Sequence, residues 1–541
     1  MWRLSSLISL LLAGFIGIGF LAVREFRAEN RINIILLTVE SLRYDLVNEV
    51  NTPGLLAASE TSLRFDQHHA VSAWTGTNII SLLTGLTPLE SGIHTRGRSV
   101  NPELHLPLEQ LAEGGYTVAG LQEFMTMDLY KNLGLAVEES GADLLYWLAG
   151  KLAEKTPFFL WEHYVYTHLP YRPAKDSEPD WQVLLPEPKS ESIRRIRRVI
   201  DEVAIPAGSK DFLATDIEAI HALHSSTVKE FDVWFEGFWS FFKRSGLSRN
   251  TILILTADHG DEHGERGNVG HASTNHAGHL YEEIVHVPLF IWLPELAHQK
   301  ISKRSVKVLT SHVDIMPTIL SLLNLNPSPK LSGRNLLTAG GKTLWTGMTS
   351  GAGFSEQNPE NIGYYIYGCR RKNWKILWRL PEESVQLYDV AADPDELHNV
   401  AEAYPDVVAD LKKILAPLIA AQKIRPVNLS EHGSSDRAPA EKLRWLTPER
   451  SGFFRYDDLQ GRFHLQWSGE PDVKYMLQYE VGQGALAIKG EMEVQGTVKD
   501  FGGLSRKYWN TWIVPYSPFR IRVAEADSDN WSDWIRLEAL Q

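Results

Sequence analysis

From Ile32 to Val39 the chain reads INIILLTV, an almost unbroken apolar run with Glu40 directly after it. A run without polar alternation suits a strand buried on both faces of a parallel sheet. PFFLWEHYV from Pro157, TILILTAD from Thr251 and HVPLFIW from His286 repeat the pattern, with longer helix-like stretches between them. The alternation predicts an α/β fold built on a mostly parallel sheet. Ligands of such sheets gather at the carboxyl ends of the strands. Glu40 and Asp258 stand at two of those ends, so they can converge although far apart in sequence. A core carboxylate left without a partner there would be costly.

Two flanking regions read differently. Leu4 to Val23 is twenty residues without a charge, preceded by Arg3 and followed by Arg24, Arg27 and Arg31. It is long enough to span a bilayer. It lacks the small-residue cleavage site of a signal peptide, so residues 1–30 are expected to be an uncleaved anchor, with a cleaved signal the alternative. The following arginines run against an outward-facing body under the positive-inside rule, although Glu25 and Glu29 interleave with them. The body is still placed outside the cytoplasm, periplasmic or extracellular, because the segment resembles a secretory start. At the other end, NLSEHGSSDRAPAEK from Asn428 is polar and breaker-rich and marks a linker over 426–452. Beyond Phe453, short alternating runs such as FHLQW, YMLQYEV and FRIRV predict a small all-β sandwich over 453–541. Its NWSDWIRLE stretch from Asn530 resembles the tryptophan–arginine ladder of fibronectin type III-like modules, where such aromatics usually serve packing. That leaves 31–425 for the α/β body.

Composition narrows the chemistry. With 541 residues, 43% hydrophobic and 22% charged, the chain can bury a large core and more than one domain. A formal net charge of −13 argues against nucleic acid as a partner, since that grip needs a basic face. Any anionic substrate must be held locally, by a metal or a few cations. The single cysteine, Cys369, excludes an internal disulfide, a thiolate zinc cluster and an iron–sulfur site.

Four clusters carry candidate chemistry: VESLRYD from Val39, AWTGTNIISLLTGLTPLESGIH from Ala73, TADHGDEHGERG from Thr256, and HAGHLYEEIVHVPLFI from His276. Taken singly, a carboxylate after a strand or a threonine before an apolar helix is more often a helix cap than a site. Taken together and in order, they resemble the sulfatase branch of the alkaline phosphatase superfamily, over roughly residues 32 to 400. VESLRYD follows that family's acidic D-D-L-R-x-D stretch, with Glu40 in the first acidic place and Ser41 in the second. Counting back from Leu82-Leu83-Thr84-Gly85, the nucleophile's place falls on Thr75. The D-H-G turn falls on Asp258, His259 and Gly260, and H-x-P-Y on His168 within THLPY. HxxxxYEExxxVPL from His276, SHVDIMPTILSLL from Ser311 and LYDVAADPDELHNVA from Leu387 match later signatures.

The resemblance implies an alkaline phosphatase-like sheet sandwiched by helices. It also implies one divalent ion (Mn, Mg, Ca or Zn) held by Glu40, Thr75, Asp258 and His259. Thr75 would be the nucleophile, and His276 or His168 would donate to substrate oxygens or protonate the leaving group. The physics agrees: a hydroxyl must be activated, and a metal lowers its pKa while positioning it. Carboxylate and imidazole ligands suit these ions, and a helix starting near Thr75 would aim free N–H groups at a bound anion. His279 and His263 are weaker candidates, and Arg43 either reaches the site or pairs with Asp45. Ser41 removes one carboxylate, so a second metal is not expected. Asp314 reads as a helix cap.

The departures point the chemistry. Where the family carries C/S-x-P-x-R, this chain has Thr75-Gly76-Thr77-Asn78-Ile79. Threonine cannot give the formylglycine aldehyde, so an esterified intermediate must be attacked by water or another acceptor. That favours cleavage of a phosphate-type ester: a phosphodiester, phosphomonoester or phosphonate. Transfer to an acceptor, as in the phosphoglycerol and phosphoethanolamine transferases, sulfate-ester hydrolysis, and binding of a sugar or partner without turnover stand as alternatives. The substrate would be an anionic ester, of a lipid or a glycan, with the membrane met through residues 4–23. Residues 172 to 225 would set specificity.

Overall fold

The computed structural model describes residues 32–421 outside 95–99, 101–103, 105, 122–129, 131, 138–143, 155, 186–189, 202–211, 272–278, 295–304, 326–330, 338–343, 351–364 and 381, and residues 445–540 outside 448–451, 456–461, 469, 471–472, 482–487, 504–518, 527–530 and 533–534. An eight-stranded sheet forms its centre. In chain order the strands are Asn33–Val39 (β1), Leu63–Phe65 (β2), Thr117–Gly120 (β3), Ala136–Val137 (β4), Phe158–Tyr164 (β5), Thr251–Ala257 (β6), Leu289–Trp292 (β7) and Ser305–Val306 (β8). Across the sheet they lie in the order β8-β2-β7-β6-β1-β5-β3-β4.

The four apolar runs of the sequence are β1, β5, β6 and β7. β1 lies between β5 and β6, parallel to both, and every residue of β1 and β6 is buried. Burial on both faces removes any reason for polar alternation. β7 differs from the parallel reading of its sequence, because it runs antiparallel to β6 and to β2. Two-sided burial dictates the composition of this strand, and composition is silent about direction.

Helices cover the sheet. Thr75–Thr84 (α1) is buried at every position after Thr75 and closes at Gly85, whose φ of 71° is the left-handed cap that glycine adopts without a steric penalty. Ile217–Arg244 (α2) sends Phe231, Phe235, Phe238 and Phe242, three or four residues apart, into the main core with Trp292 and Tyr164. Ile315–Leu322 (α3) adds Ile315, Met316, Ile319 and Leu320.

A second, four-stranded antiparallel sheet follows, made of Leu344–Ser350, Tyr365–Arg371, Trp374–Leu380 and Ser384–Asp389. Pro405–Ala421 (α4) packs Leu411 and Leu415 with Met348, Tyr367, Ile376 and Leu387, and buries Cys369 among them. Residues 445–540 form two small sheets of three and five strands. Leu465 and Trp467 of one share an apolar cluster with Tyr475, Leu477, Val523 and Leu537 of the other. Residues 4–23, expected to be an anchor, lie outside the described residues. Among the described residues no helix is long and apolar enough to cross a membrane.

Candidate active site

The parallel register of β1 and β6 pairs Val39 with Ala257, so the residues that follow meet beyond the sheet edge. Glu40 N donates to Tyr164 O at 2.9 Å and Asp258 N to Val39 O at 3.3 Å. Ser41 then turns the chain with a φ of 55°. A non-glycine residue there stores of order 1 kcal/mol of strain. The turn aims the Ser41 N–H at Asp258 Oδ1, 3.0 Å away, and His259 N donates to the same oxygen at 2.9 Å. Ser41 thus serves the site through its backbone. Asp258 Oδ2 is buried and has no hydrogen-bond partner, although His259 Nε2 lies 3.2 Å from it. Gly260 presses against the Glu283 carbonyl, where a Cβ would collide.

Thr75 is the first residue of α1, after an extended Trp74 that caps nothing with its side chain. Its Oγ1 donates to Glu40 Oε1 at 3.0 Å and sits 3.2 Å from His259 Nε2. The approach is fixed by Asn78: its Oδ1 accepts from Val71 N and Ser72 N, both at 3.0 Å, and its Nδ2 donates to Ser72 O at 2.8 Å. Glu40, Thr75, Asp258 and His259, chosen from sequence, therefore come together.

Two histidines that sequence reasoning passed over join them. His163 of β5 is the register partner of Thr38 in β1. Its Nε2 is 2.8 Å from Glu40 Oε2, and its Nδ1 is 2.7 Å from Thr38 Oγ1, which also accepts from Trp161 Nε1 at 2.9 Å. His271 lies with its ring centroid 4.1 Å from that of His259. Its Nδ1 is 2.7 Å from Asp261 Oδ1, while Asp261 Oδ2 accepts from Tyr171 OH at 2.7 Å. The signal for His163 was present: a polar pair, Glu162-His163, inside an apolar strand must find partners. For His271 the only signal was histidine richness after the D-H-G turn.

The remaining candidates separate. His168 is half-buried within electrostatic reach of Glu40, its ring centroid 4.9 Å from that of His271 and its Nδ1 bonded to Leu169 O. His276 falls in 272–278, outside the described residues. Arg43 grips Asp45 with Nε and Nη2 at 2.9 and 2.8 Å and Glu265 with Nη1 at 2.5 Å, which makes it an ion-pair residue. His263 pairs with His224 at 2.8 Å, and His279 stacks on Tyr281. The Asp314 carboxylate accepts from Ser311 N at 2.9 Å and Arg334 N at 3.0 Å.

Electrostatics make this a cation-seeking pocket. Burial would raise Glu40, but hydrogen bonds from His163 and His259 and the nearby His168 hold it well below the usual carboxylate range. Burial and the Glu40 charge instead push Asp258 up to about 6. Burial opposes a charged His259, yet Asp258, Glu40 and Asp261 outweigh it and raise its pKa to about 10. Two carboxylates and several imidazoles within a buried volume, one carboxylate oxygen unpartnered, form a donor set that fits a divalent cation. Ligand atoms of Glu40, His259 and His271, and of Glu40, His163 and Asp258, lie within 4.8 Å of one another in each trio.

The sulfatase family model matches residues 32–325, and the model for the C-terminal part of N-sulphoglucosamine sulphohydrolase matches residues 276–421. Arylsulfatase K of Gallus gallus is 28% identical over 270 residues, 48% of this chain and 47% of that protein. Its Mus musculus counterpart is 29% identical over 273 residues, 48% and 45% of the two chains. The chain spans about half the length of the curated relatives it matches. Among solved structures, phosphonate monoester hydrolase of Agrobacterium radiobacter superposes with a TM-score of 0.56 at 19% identity, covering 76% of this chain and 100% of that one. BT4656, in complex with its substrate D-glucosamine-2-N,6-O-disulfate, gives 0.54 at 18% identity over 73% and 98%. At those identities the likeness is one of fold.

Proposed function

The chain belongs to the sulfatase family, and from that premise we propose that it is a metal-dependent hydrolase of a phosphate-type ester with Thr75 as nucleophile. The observation that carries this reading is the Thr75 hydroxyl, held at 3.0 Å from Glu40 Oε1 and 3.2 Å from His259 Nε2 at the start of a helix. Glu40, Asp258, His259 and Thr75 are the residues to hold the ion, which when bound lowers the hydroxyl pKa and offsets the charge of the transferred group.

The rest is the work of the chain. Glu40 Oε1 accepts the Thr75 hydroxyl hydrogen, leaving the oxygen directed into the site. The first N–H groups of α1 and its positive end face an anion placed against Thr75. Attack by Thr75 Oγ1 on phosphorus forms the Thr–O–P bond as the bond to the leaving oxygen breaks. His276 or His168 protonates that oxygen. Burial lowers the His168 pKa against the pull of Glu40, so His168 serves as the acid only in the imidazolium form that a bound anionic ester favours, giving its Nε2 proton while Nδ1 stays bonded to Leu169 O. Water then attacks phosphorus, giving a proton back to the histidine, as the Thr75 Oγ1–P bond breaks; Thr75 recovers its proton from Glu40, and the acid product leaves. A formylglycine would shed its ester by elimination, a route closed to threonine, and this is why phosphate-type esters come first.

Sulfate-ester hydrolysis is the second reading, favoured by the names of the arylsulfatase relatives and by the disulfated substrate of BT4656. A phosphonate monoester is a natural member of the first class, given the hydrolase that shares the fold. We place the site outside the cytoplasm, tethered through residues 4–23.

The test is metal-supplemented turnover of matched aryl phosphodiester, phosphonate monoester, phosphomonoester and sulfate esters by the full chain beside Thr75→Ala. Phosphate-type cleavage that falls by about 10³-fold or more in the variant is the expected result. Thr75-dependent sulfate cleavage moves the protein to the second reading. Full activity in Thr75→Ala removes Thr75 from the mechanism.

A further inference from the structure

Three imidazoles converge on the Glu40 carboxylate and its neighbour Asp258, and all three are tied in the same way. His259 has Nδ1 bonded to Gly260 O at 2.9 Å, His271 has Nδ1 against Asp261 Oδ1 at 2.7 Å, and His163 has Nδ1 against Thr38 Oγ1 at 2.7 Å. A histidine whose Nδ1 donates to a fixed acceptor offers Nε2 as the metal ligand once an entering ion displaces the Nε2 proton that otherwise faces Glu40. For His259 and His163 the Nε2 atoms lie 3.3 Å and 2.8 Å from the two oxygens of Glu40. The first is close to the ~3.4 Å edge between donors around a tetrahedral ion with ~2.1 Å arms, and the second, now of hydrogen-bond length, opens by about 0.6 Å when an ion replaces the proton between the two atoms.

His163 has a built support. Thr38 is its register partner across β1 and β5 and also accepts from Trp161 Nε1, so a three-residue buried chain sets the ring. All three side chains are at most 2% exposed, as residues, to solvent. Placing two ring nitrogens and a hydroxyl between the central strands has a folding cost that apolar residues would avoid, and every link of the chain leads to the Glu40 carboxylate. Asp258 completes the trio with Glu40 and His163, and its buried Oδ2 accepts no hydrogen bond.

We propose that His163 is a direct metal ligand, and that the resulting nitrogen-rich donor set selects a first-row transition ion of the zinc, manganese or cobalt class over calcium or magnesium. This rests on the reading of Glu40, Asp258 and His259 as the metal-holding group. Hard ions such as Ca²⁺ take six to eight oxygens, whereas imidazole suits zinc and its neighbours. The described residues around Glu40 offer more imidazole nitrogens than a calcium site uses.

The experiment reads metal affinity and spectrum without any substrate. Full chain stripped with chelator is titrated with Zn²⁺, Mn²⁺ and Ca²⁺, and with Co²⁺ while its visible absorption is followed. Parent protein should bind Zn²⁺ at least about 100-fold more tightly than Ca²⁺. His163→Gln keeps an amide to donate to Glu40 Oε2 but supplies no imidazole. It should weaken Zn²⁺ more than about 100-fold and change the Co²⁺ bands, leaving Ca²⁺ binding within a few-fold of the parent. Thr38→Val, which frees the ring, should weaken Zn²⁺ by roughly 10-fold with the same band positions.

Calcium binding as tight as zinc, or unchanged Zn²⁺ affinity and Co²⁺ spectrum in His163→Gln, overturns the proposal. Should His163→Gln fail to fold, the Zn²⁺-to-Ca²⁺ ratio of the parent and the Thr38→Val response decide alone. A protein that binds Zn²⁺ through His163 yet cleaves none of the esters would keep this inference and lose the functional one. Turnover supported by Ca²⁺ alone would do the reverse.

Discussion

The molecule buries two dense clusters of charge, and they are built on opposite principles. Beneath the four-stranded sheet, Lys375 Nζ sits 2.9 Å from Glu282 Oε1 and 2.8 Å from Glu396 Oε1, with Arg370 Nη1 3.4 Å from Glu282 Oε2. Two carboxylates face two cations, which offset most of the buried charge, although burial still raises Glu396 against the pull of Lys375. Burial would raise Glu282, but Lys375, His69 and Arg370 hold it well below the ordinary carboxylate range. At the carboxyl ends of β1 and β6, the cationic partners of Glu40 and Asp258 among the described residues are imidazoles, and Asp258 is pushed up to about 6 by burial and by Glu40. A compensated cluster fastens one element to another. An undercompensated one stores free energy that a cation can release, so imbalance, more than burial or charge itself, distinguishes the candidate site.

The largest effect that would break this contrast is a reversal of sign at Asp258. Asp258→Asn removes a buried carboxylate that lacks a full set of partners. In chelator the variant should therefore be more stable than the parent, by about 2 kcal/mol at pH 8. Saturating metal should stabilise the parent by roughly 3–4 kcal/mol and the variant by far less. The swing between the two conditions is about 5 kcal/mol, read by denaturant unfolding with and without Zn²⁺ or Mn²⁺. Equal stability of the two proteins in both conditions would show that Asp258 is already compensated.

Lys375→Met should act in one direction only. It strands Glu282 and Glu396 in a dry interior, and loss of one partner from a buried ion pair costs roughly 3–5 kcal/mol. The loss should be the same with and without metal. A metal-dependent loss would join the two clusters into one unit and end the comparison.

Much of the central sheet was legible in the amino-acid pattern, for a physical reason. Strands buried on both faces must be apolar throughout, so β1, β5 and β6 announced themselves, and the chemistry sat where those runs stopped. Counting back from Leu82-Leu83-Thr84-Gly85 places Thr75 at the start of a helix, and α1 sets its hydroxyl beside Glu40 and His259. The direction of β7 was hidden because two-sided burial imposes the same composition on parallel and antiparallel neighbours. His163 was hidden differently: its role depends on register with Thr38, and register between strands 120-odd residues apart is a property of the fold. Ser41 was partly hidden for a related reason. It was read as a lost carboxylate ligand, and its side chain does lack one, yet its left-handed backbone still reaches Asp258 through the N–H.

Glu262 offers the smallest and sharpest test, because it belongs to neither cluster. It is buried in a two-residue strand just after Asp261, with Oε2 unpartnered and Oε1 3.5 Å from Asn268 Nδ2. Arg266 approaches it at 3.6 Å but is engaged by Glu283 and lies over the Tyr281 ring. Burial, opposed by Arg266 and reinforced by Glu265, raises its pKa to about 7. In the unfolded chain a glutamate titrates near 4.3, so the folded state binds this proton more tightly. The stabilisation is fully present below about pH 4 and is lost as pH rises toward 7. Glu262→Gln imitates the protonated form at every pH. It should match the parent at low pH and exceed it by on the order of 1–2 kcal/mol at pH 8, with no change in the response to metal. A pH-independent difference would mean that Arg266 compensates Glu262 as Lys375 compensates Glu282. A difference that vanished on adding metal would instead place Glu262 in the cation site, since a bound ion would then be offsetting its charge.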